Sequence, residues 1–426
     1  MNIRAISSLA LPLLASACVV APPAAPGATD AWLLTGARIY ASPDERAMDD
    51  GAVLVRNGTI VAVGPRRDVS VPAAAHQTQC SGGFIMAGFQ NSHVHFIGGP
   101  WKNAGVRPAA ELSRSMAEML TRFGYTTVVD IASDRDNTLA LRTRVESGEI
   151  PGPRILTAGW ALFPPSGIPI YLDHLPREFV ERLPQPPDAQ AAARVVRENL
   201  DAEADGTKLF LATPQAGGKL MRMPREVARS AAEETHRRGK PVFAHPTDID
   251  GVRDALAAKV DILAHSTLGA QTLWPEAFLR EVIGSRVTLI PTLKLLGYEL
   301  KKEGVPKDIS DQLISISVEQ VKAFSAAGGE VLFGTDVGYM TDFDPTEEYL
   351  LLARAGLSPM QILAALTTVP AARWKEGERR GQVKAGMDAD LVVLEADPAS
   401  GMAAFARVRC AFRGGKLIYS SYFNIS

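Results

Sequence analysis

The chain has 426 residues, enough for two or three domains of about 150 residues or for one large α/β barrel with an appendage. Hydrophobic residues make up 46% and charged residues 22%, which excludes wholesale disorder. Lys and Arg total 45 against 47 Asp and Glu, so no basic footprint marks a nucleic-acid partner, and three cysteines are too few for a disulfide scaffold or a cysteine-ligated zinc cluster.

Residues 1–18, MNIRAISSLALPLLASAC, read as a signal peptide: Arg4 gives a positive start, residues 6–14 an apolar stretch, and Ala15-Ser16-Ala17 a small-residue cleavage site. The stretch is short for a membrane span of about 20 residues, and no later segment competes with it. Cys18 also resembles the acylated cysteine of a bacterial lipoprotein, with Ala15 standing where that pattern prefers Leu. The expectation is an exported, periplasmic protein that meets a membrane only through a lipid anchor on Cys18. Residues 19–30 form a Pro/Ala-rich linker that cannot build a core.

From Trp32 to Cys80 the pattern is short strands and turns, with Asn57-Gly58 as a two-residue hairpin signal. The far end repeats the style, with Gly414-Gly415 at a turn. Neither end can bury a core alone, so residues 31–83 and 381–422 are expected to form one composite β-sandwich. Cys80 and Cys410 both fall there; export permits a disulfide between them, but no spacing rule specifies it, and two separate buried thiols is the preferred reading.

Residues 84–380 contain eight apolar, β-branched-rich runs: 84–96, 126–132, 153–159, 206–212, 241–247, 261–267, 287–293 and 330–336. Helix-period stretches separate them. Near-continuous apolar strands alternating with helices imply parallel pairing with both faces covered, and eight such units predict a closed (β/α)8 TIM barrel. Barrel chemistry sits at the C-terminal ends of the strands. His93 and His95 end the first run, Lys208 lies in the fourth, His245 in the fifth, His265 in the sixth and Asp336 in the eighth. A His-x-His pair in a strand puts both imidazoles on one face. Imidazole and carboxylate donors suit zinc and its divalent neighbours, but an ammonium lysine, with no acceptor, cannot bridge two of them.

Six segments taken together, GFQNSHVHF, TKLF, FAHPT, LAHST, FGTDVGY and GQVKAGMDADLVVLE, resemble the amidohydrolase superfamily in its binuclear-metal, prolidase-like and ochratoxinase-like branch. The resemblance implies two divalent ions, with zinc the first choice. His93, His95 and Asp336 would hold one ion and His245 and His265 the other, with Lys208, carboxylated by carbon dioxide, bridging both. It further implies attack by a hydroxide that bridges the metals, with Asp336 taking a proton and delivering it to the leaving nitrogen.

The long Pro- and aromatic-rich loop after the third strand reads as a lid or substrate wall, with Trp160, Phe163, Tyr171 and His174 as candidate pocket residues. Trp101, Tyr298 and Tyr339 follow other strands at the same mouth, and Lys294 is the candidate cation for a substrate carboxylate. The reading is an exported metal-dependent hydrolase of a C–N bond. Its substrate would be a small amide, a dipeptide or an N-acyl amino acid, with aromatic amides of the ochratoxin type included. The alternatives are a deaminase or a lactonase or phosphotriesterase, and beyond those a non-catalytic metal-binding lipoprotein; a homo-oligomer is allowed.

Overall fold

The computed structural model of the protein describes residues 31–70, 75–172 and 175–422. The signal-peptide, linker and Cys18 readings, and that for His174, fall outside the described residues. Among those described, no helix is long and apolar enough to cross a membrane.

The strands, in chain order, are β1 (Ala31–Tyr40), β2 (Met48–Arg56), β3 (Thr59–Pro65), β4 (His76–Gln79), β5 (Phe84–Ala87), β6 (Phe89–Val94), β7 (Tyr125–Asp130), β8 (Arg154–Thr157), β9 (Thr207–Phe210), β10 (Ala212–Pro214), β11 (Leu220–Arg222), β12 (Val242–His245), β13 (Ile262–Ala264), β14 (Thr288–Ile290), β15 (Leu391–Leu394), β16 (Val408–Arg413) and β17 (Lys416–Ser420). The two ends of the chain meet in one eight-stranded sheet of order β17-β16-β15-β5-β1-β2-β3, with β4 also paired to β1. The expected sandwich therefore takes the form of one continuous hydrogen-bonded sheet. That sheet curls: Trp32 of β1 reaches Phe412 of β16 past two intervening strands, with ring centroids 5.9 Å apart. Cys80 and Cys410 are buried in the apolar cluster that the curl encloses. Asn57 and Gly58 both have positive φ, as a two-residue hairpin between right-twisted strands requires.

The first run divides where the sequence alone placed a single strand. Gly88 ends β5, which belongs to the terminal sheet, and β6 opens the central domain one residue later. A Cβ at Gly88 would stand 2.2 Å from Thr126 Oγ1, so only glycine lets the chain cross so close to β7.

The central strands pair in parallel as β6-β7-β8 and as β9-β12-β13-β14. Single bridges carry the order onward. Leu162, past the end of β8, bridges Leu209; Leu289 bridges Val331; and Val94 bridges Val337. Residues 330–336, predicted as the eighth strand, join β14 and β6 through isolated bonds such as Ser92 N–H to Phe333 O at 2.8 Å and do not form a regular strand. The cause is local, because Gly334 sits against His93 and Asp336 turns into the left-handed region. Helices such as Arg225–Arg237, Ile249–Ala257 and Lys307–Ala326 fill the connections with one apolar face inward. Strands β6, β7 and β9 are buried along their whole length, as parallel strands covered on both faces must be.

Candidate metal centre

Four strands and the 330–336 segment converge on one cavity of about 260 Å³, whose floor carries His93, His95, Lys208, His245, His265 and Asp336. Period-2 alternation along β6 sends both imidazoles of its last turn inward, and their Nε2 atoms lie 3.2 Å apart. Asp336 reaches across from the 330–336 segment, 3.4 Å from His93 Nε2, 2.9 Å from His95 Nε2 and 3.7 Å from His265 Nε2. The backbone fixes this crossing: His95 N–H donates to Val337 O at 2.8 Å, and Asp336 N–H to His93 O at 2.9 Å. Gly338 permits it, since a Cβ there would fall 1.8 Å from His95 O.

The backbone is strained where it aims these groups. His265, Asp336 and Thr292 have φ of 82°, 61° and 47°, a region that costs a residue with a Cβ about 1–3 kcal/mol. Thr292 Oγ1 donates to Pro291 O at 2.8 Å and so accepts from His265 Nδ1 at 2.5 Å. His95 Nδ1 likewise donates to Ala132 O, at 3.1 Å. In the neutral form of either ring these bonds hold the proton on Nδ1 and turn the Nε2 lone pair to the centre. Asp336 Oδ1 is buried and, despite its short distance to His95, has no aligned donor; His93 Nδ1 is also buried without a partner. Burial, reinforced by neighbouring cationic groups, pushes His93 and His265 far below the ordinary imidazole pKa and His245 down to about 3. The centre therefore gathers imidazole nitrogens and a carboxylate oxygen without an aligned donor around one point, a set that a cation would complete. The donor atoms of His93, His265 and Asp336 lie within 4.8 Å of one another. This donor set fits a divalent ion of the zinc type.

His245 extends the cluster on the other side of His265, with ring centroids 4.6 Å apart. Lys208, 1% exposed, lies below it on β9, and burial lowers its ammonium to about 7 although the Asp336 charge opposes the shift. A lysine that is about half free amine near neutral pH can take up carbon dioxide, a reaction the ammonium cannot undergo.

The cavity wall separates the other candidates. Trp160, Phe163, Tyr171 and Tyr339 line it. Trp101, Lys294 and Tyr298 do not, and each has a structural reason. Trp101 is buried against Phe96, ring centroids 4.9 Å apart. Tyr298 turns its hydroxyl to Thr341 Oγ1 at 3.3 Å. Lys294 is buried and donates to Asp342 O and Asp344 O at 3.1 and 2.6 Å, with the Asp342 carboxylate at 2.9 Å, so the cation expected for a substrate carboxylate instead ties down a loop. The structure adds Phe179, Phe210, Leu268, Leu295, Leu296 and Glu299 to the wall. Phe210, two residues beyond Lys208, stacks between Phe163 and His245, with centroids 4.4 and 5.0 Å away. Alternation along β9 places it on the lysine's face, and that signal was available in the sequence; nothing in the sequence marked Glu299.

Residues 84–418 match the amidohydrolase family. An ochratoxinase of Aspergillus niger is 22% identical to this chain over 419 residues, spanning 88% of the chain and 84% of the relative. A solved structure from Bifidobacterium longum, assigned to the prolidases, superposes with a TM-score of 0.74 at 26% identity, covering 91% of this chain and 94% of that one. A Xaa-Pro dipeptidase with methionine bound in its active site superposes with a TM-score of 0.77 at 17% identity, over 92% and 100% of the two chains. The fold shared with such neighbours is α/β and TIM-barrel-like.

Proposed function

The chain belongs to the amidohydrolase family and is a hydrolase of carbon–nitrogen bonds, and from that premise we propose that it cleaves the amide bond of a small dipeptide-like or N-acyl amino-acid substrate bearing an apolar or aromatic group. One observation carries this reading: six side chains from four strands and the 330–336 segment share one buried floor beneath an aromatic wall. His93, His95 and Asp336 would hold one divalent ion, and His245 and His265 the other. Lys208, carboxylated, would join them, and zinc suits these donors best. When bound, the ions supply Lewis acidity and make water acidic enough to deprotonate near neutral pH.

The chain's own groups do the rest. Asp336 Oδ1, which has no donor of its own, takes a proton from the attacking water and passes it to the leaving nitrogen. An amine leaves poorly unless protonated, so this transfer governs amide cleavage more than ester cleavage. Phe163, Phe210 and Trp160 hold the apolar part of the substrate and keep bulk water away from the floor. Burial raises the Tyr171 and Tyr339 hydroxyls well above their ordinary pKa, so both remain protonated donors on the cavity wall, Tyr339 toward Glu299. Export, with or without acylation of Cys18, belongs to the same reading and rests on residues 1–18 alone.

The test is a library of dipeptides and N-acyl amino acids, incubated with protein reconstituted with zinc in bicarbonate buffer and followed by release of primary amine. Release from members with aromatic or large apolar groups is expected. A library left intact, with metal bound, overturns the amide assignment.

A further inference from the structure

The proposed function leaves the polar end of the substrate open, since a dipeptide offers an amine where an N-acyl amino acid offers only a carboxylate. Resting on that reading, we infer that Glu299 selects a substrate with a free amine on the part that fills the cavity.

Among the described residues lining the cavity, Lys208 on the floor is the one Lys or Arg. The cation that might have met a carboxylate, Lys294, is turned away and committed to Asp342 and Asp344. The charged groups away from the floor are instead two acids, Glu299 and Glu303, one turn apart at the end of helix Leu293–Lys302. Acids are disfavoured at a helix C-terminus, where the backbone carbonyls already concentrate negative potential. Both sources of negative potential face the cavity, offset in part by Lys301 and Lys302 in the same turn, and together they favour an ammonium over a carboxylate.

Glu299 is only partly satisfied, with the Tyr339 hydroxyl hydrogen-bonded to its carboxylate. Its Oε1 is buried and accepts no hydrogen bond, and the nearest cation, Lys302 Nζ, stands 3.6 Å away on a half-exposed side chain. Lys302 instead lies over the Tyr339 ring, 5.5 Å from its centroid. A substrate amine entering between the aromatic residues and Leu295 and Leu296 would supply the missing donor while its apolar body fills the wall. The discrimination is the usual one for a buried acceptor: it gains from the matching donor and penalises a like charge.

Two arms test this. Titration calorimetry of the zinc-loaded protein would use phenethylamine and 3-phenylpropanoate, which carry no scissile bond, on wild type and Glu299→Gln; any contact of the carboxylate with metal is common to both proteins. Phenethylamine should lose about tenfold in affinity in the variant, the scale of one charge-assisted hydrogen bond, while 3-phenylpropanoate holds or gains. Unchanged phenethylamine affinity overturns the inference. So does a Lys302→Met variant that loses 3-phenylpropanoate selectively. The kinetic arm compares a Phe-Leu dipeptide having a free amino terminus with its N-acetylated twin, and the free amine should be favoured through KM. Hydrolysis of the acetylated twin at equal or lower KM overturns the inference alone, whereas cleavage of neither peptide, with the calorimetric preference intact, overturns the amide reading alone.

Discussion

On the cavity floor, polar side chains from four strands and the 330–336 segment meet with their donor atoms facing inward, whereas the wall comes mainly from one long loop, one helix and Phe210, with shape as its main requirement. The floor tolerates no substitution in kind, because its geometry is held by backbone crossings such as Asp336 N–H to His93 O and by strained residues that only the surrounding fold can hold in place. The wall is held by packing, with Trp160, Phe163, Leu172, Leu183 and Phe210 in one apolar cluster. Damage to the floor should therefore remove chemistry while sparing the fold, and damage to the wall should weaken binding and stability together.

The sharpest way to break that contrast is Asp336→Asn. It removes the proton acceptor but keeps shape, so kcat should fall by about 10²–10⁴-fold, the worth of a positioned acid–base group. Circular dichroism and the unfolding midpoint should hardly move. Near-normal turnover would take Asp336 out of the chemistry.

Phe210→Ala acts on the wall. Phe210 is buried between Phe163 and His245, and its loss leaves a cavity costing about 3–5 kcal/mol, read as a lower midpoint in urea. KM should rise with it. A change in kcat alone would place Phe210 with the floor instead.

Glu348 anchors the helix of the wall. Fully buried, it accepts from Lys294 N–H at 2.8 Å and so caps the helix that carries Glu299 into the wall, and burial pushes its carboxyl up to about 7 from 4.5. The folded state keeps a proton between those pH values that the unfolded state has released, so this group's contribution to stability falls as pH rises from 4.5 to 7 and is flat above. Glu348→Gln removes the effect. Relative to wild type the variant should gain about 2–3 kcal/mol between pH 4.5 and pH 8 in urea unfolding, the value of a shift of that size, and a pH-independent difference would refute the assignment.

The smallest kinetic effect belongs to Lys294→Met. Because Lys294 restrains residues 342–344, KM for carboxylate-bearing and neutral amides should change equally, within about twofold, while the midpoint drops by the equivalent of about 1–3 kcal/mol. A selective rise for carboxylates would return Lys294 to the binding site.

The strand rhythm, the His-x-His pair and the six floor residues were legible because period-2 alternation and strand-end placement are local rules. The aromatic loop was legible as a wall for a similar reason, since its composition had no other use. Lys294 was misread because position after a strand does not tell which way a long flexible side chain turns; the carbonyls of residues 342–344 decided that. Glu299 was invisible because one acid on an amphipathic helix looks like any solvated charge.

By itself the sequence determined which residue types could reach the strand ends and that their chemistry suits a divalent cation, because alternation and donor identity are written residue by residue. Only the tertiary structure decided that the Nε2 atoms of His95 and His265 face Asp336, that Lys208 is buried enough to shed its proton near neutrality, and that Glu299 rather than Lys294 lines the cavity. Those outcomes depend on contacts between segments tens to hundreds of residues apart, on burial and on left-handed backbone that the surrounding fold enforces, and no local pattern encodes them.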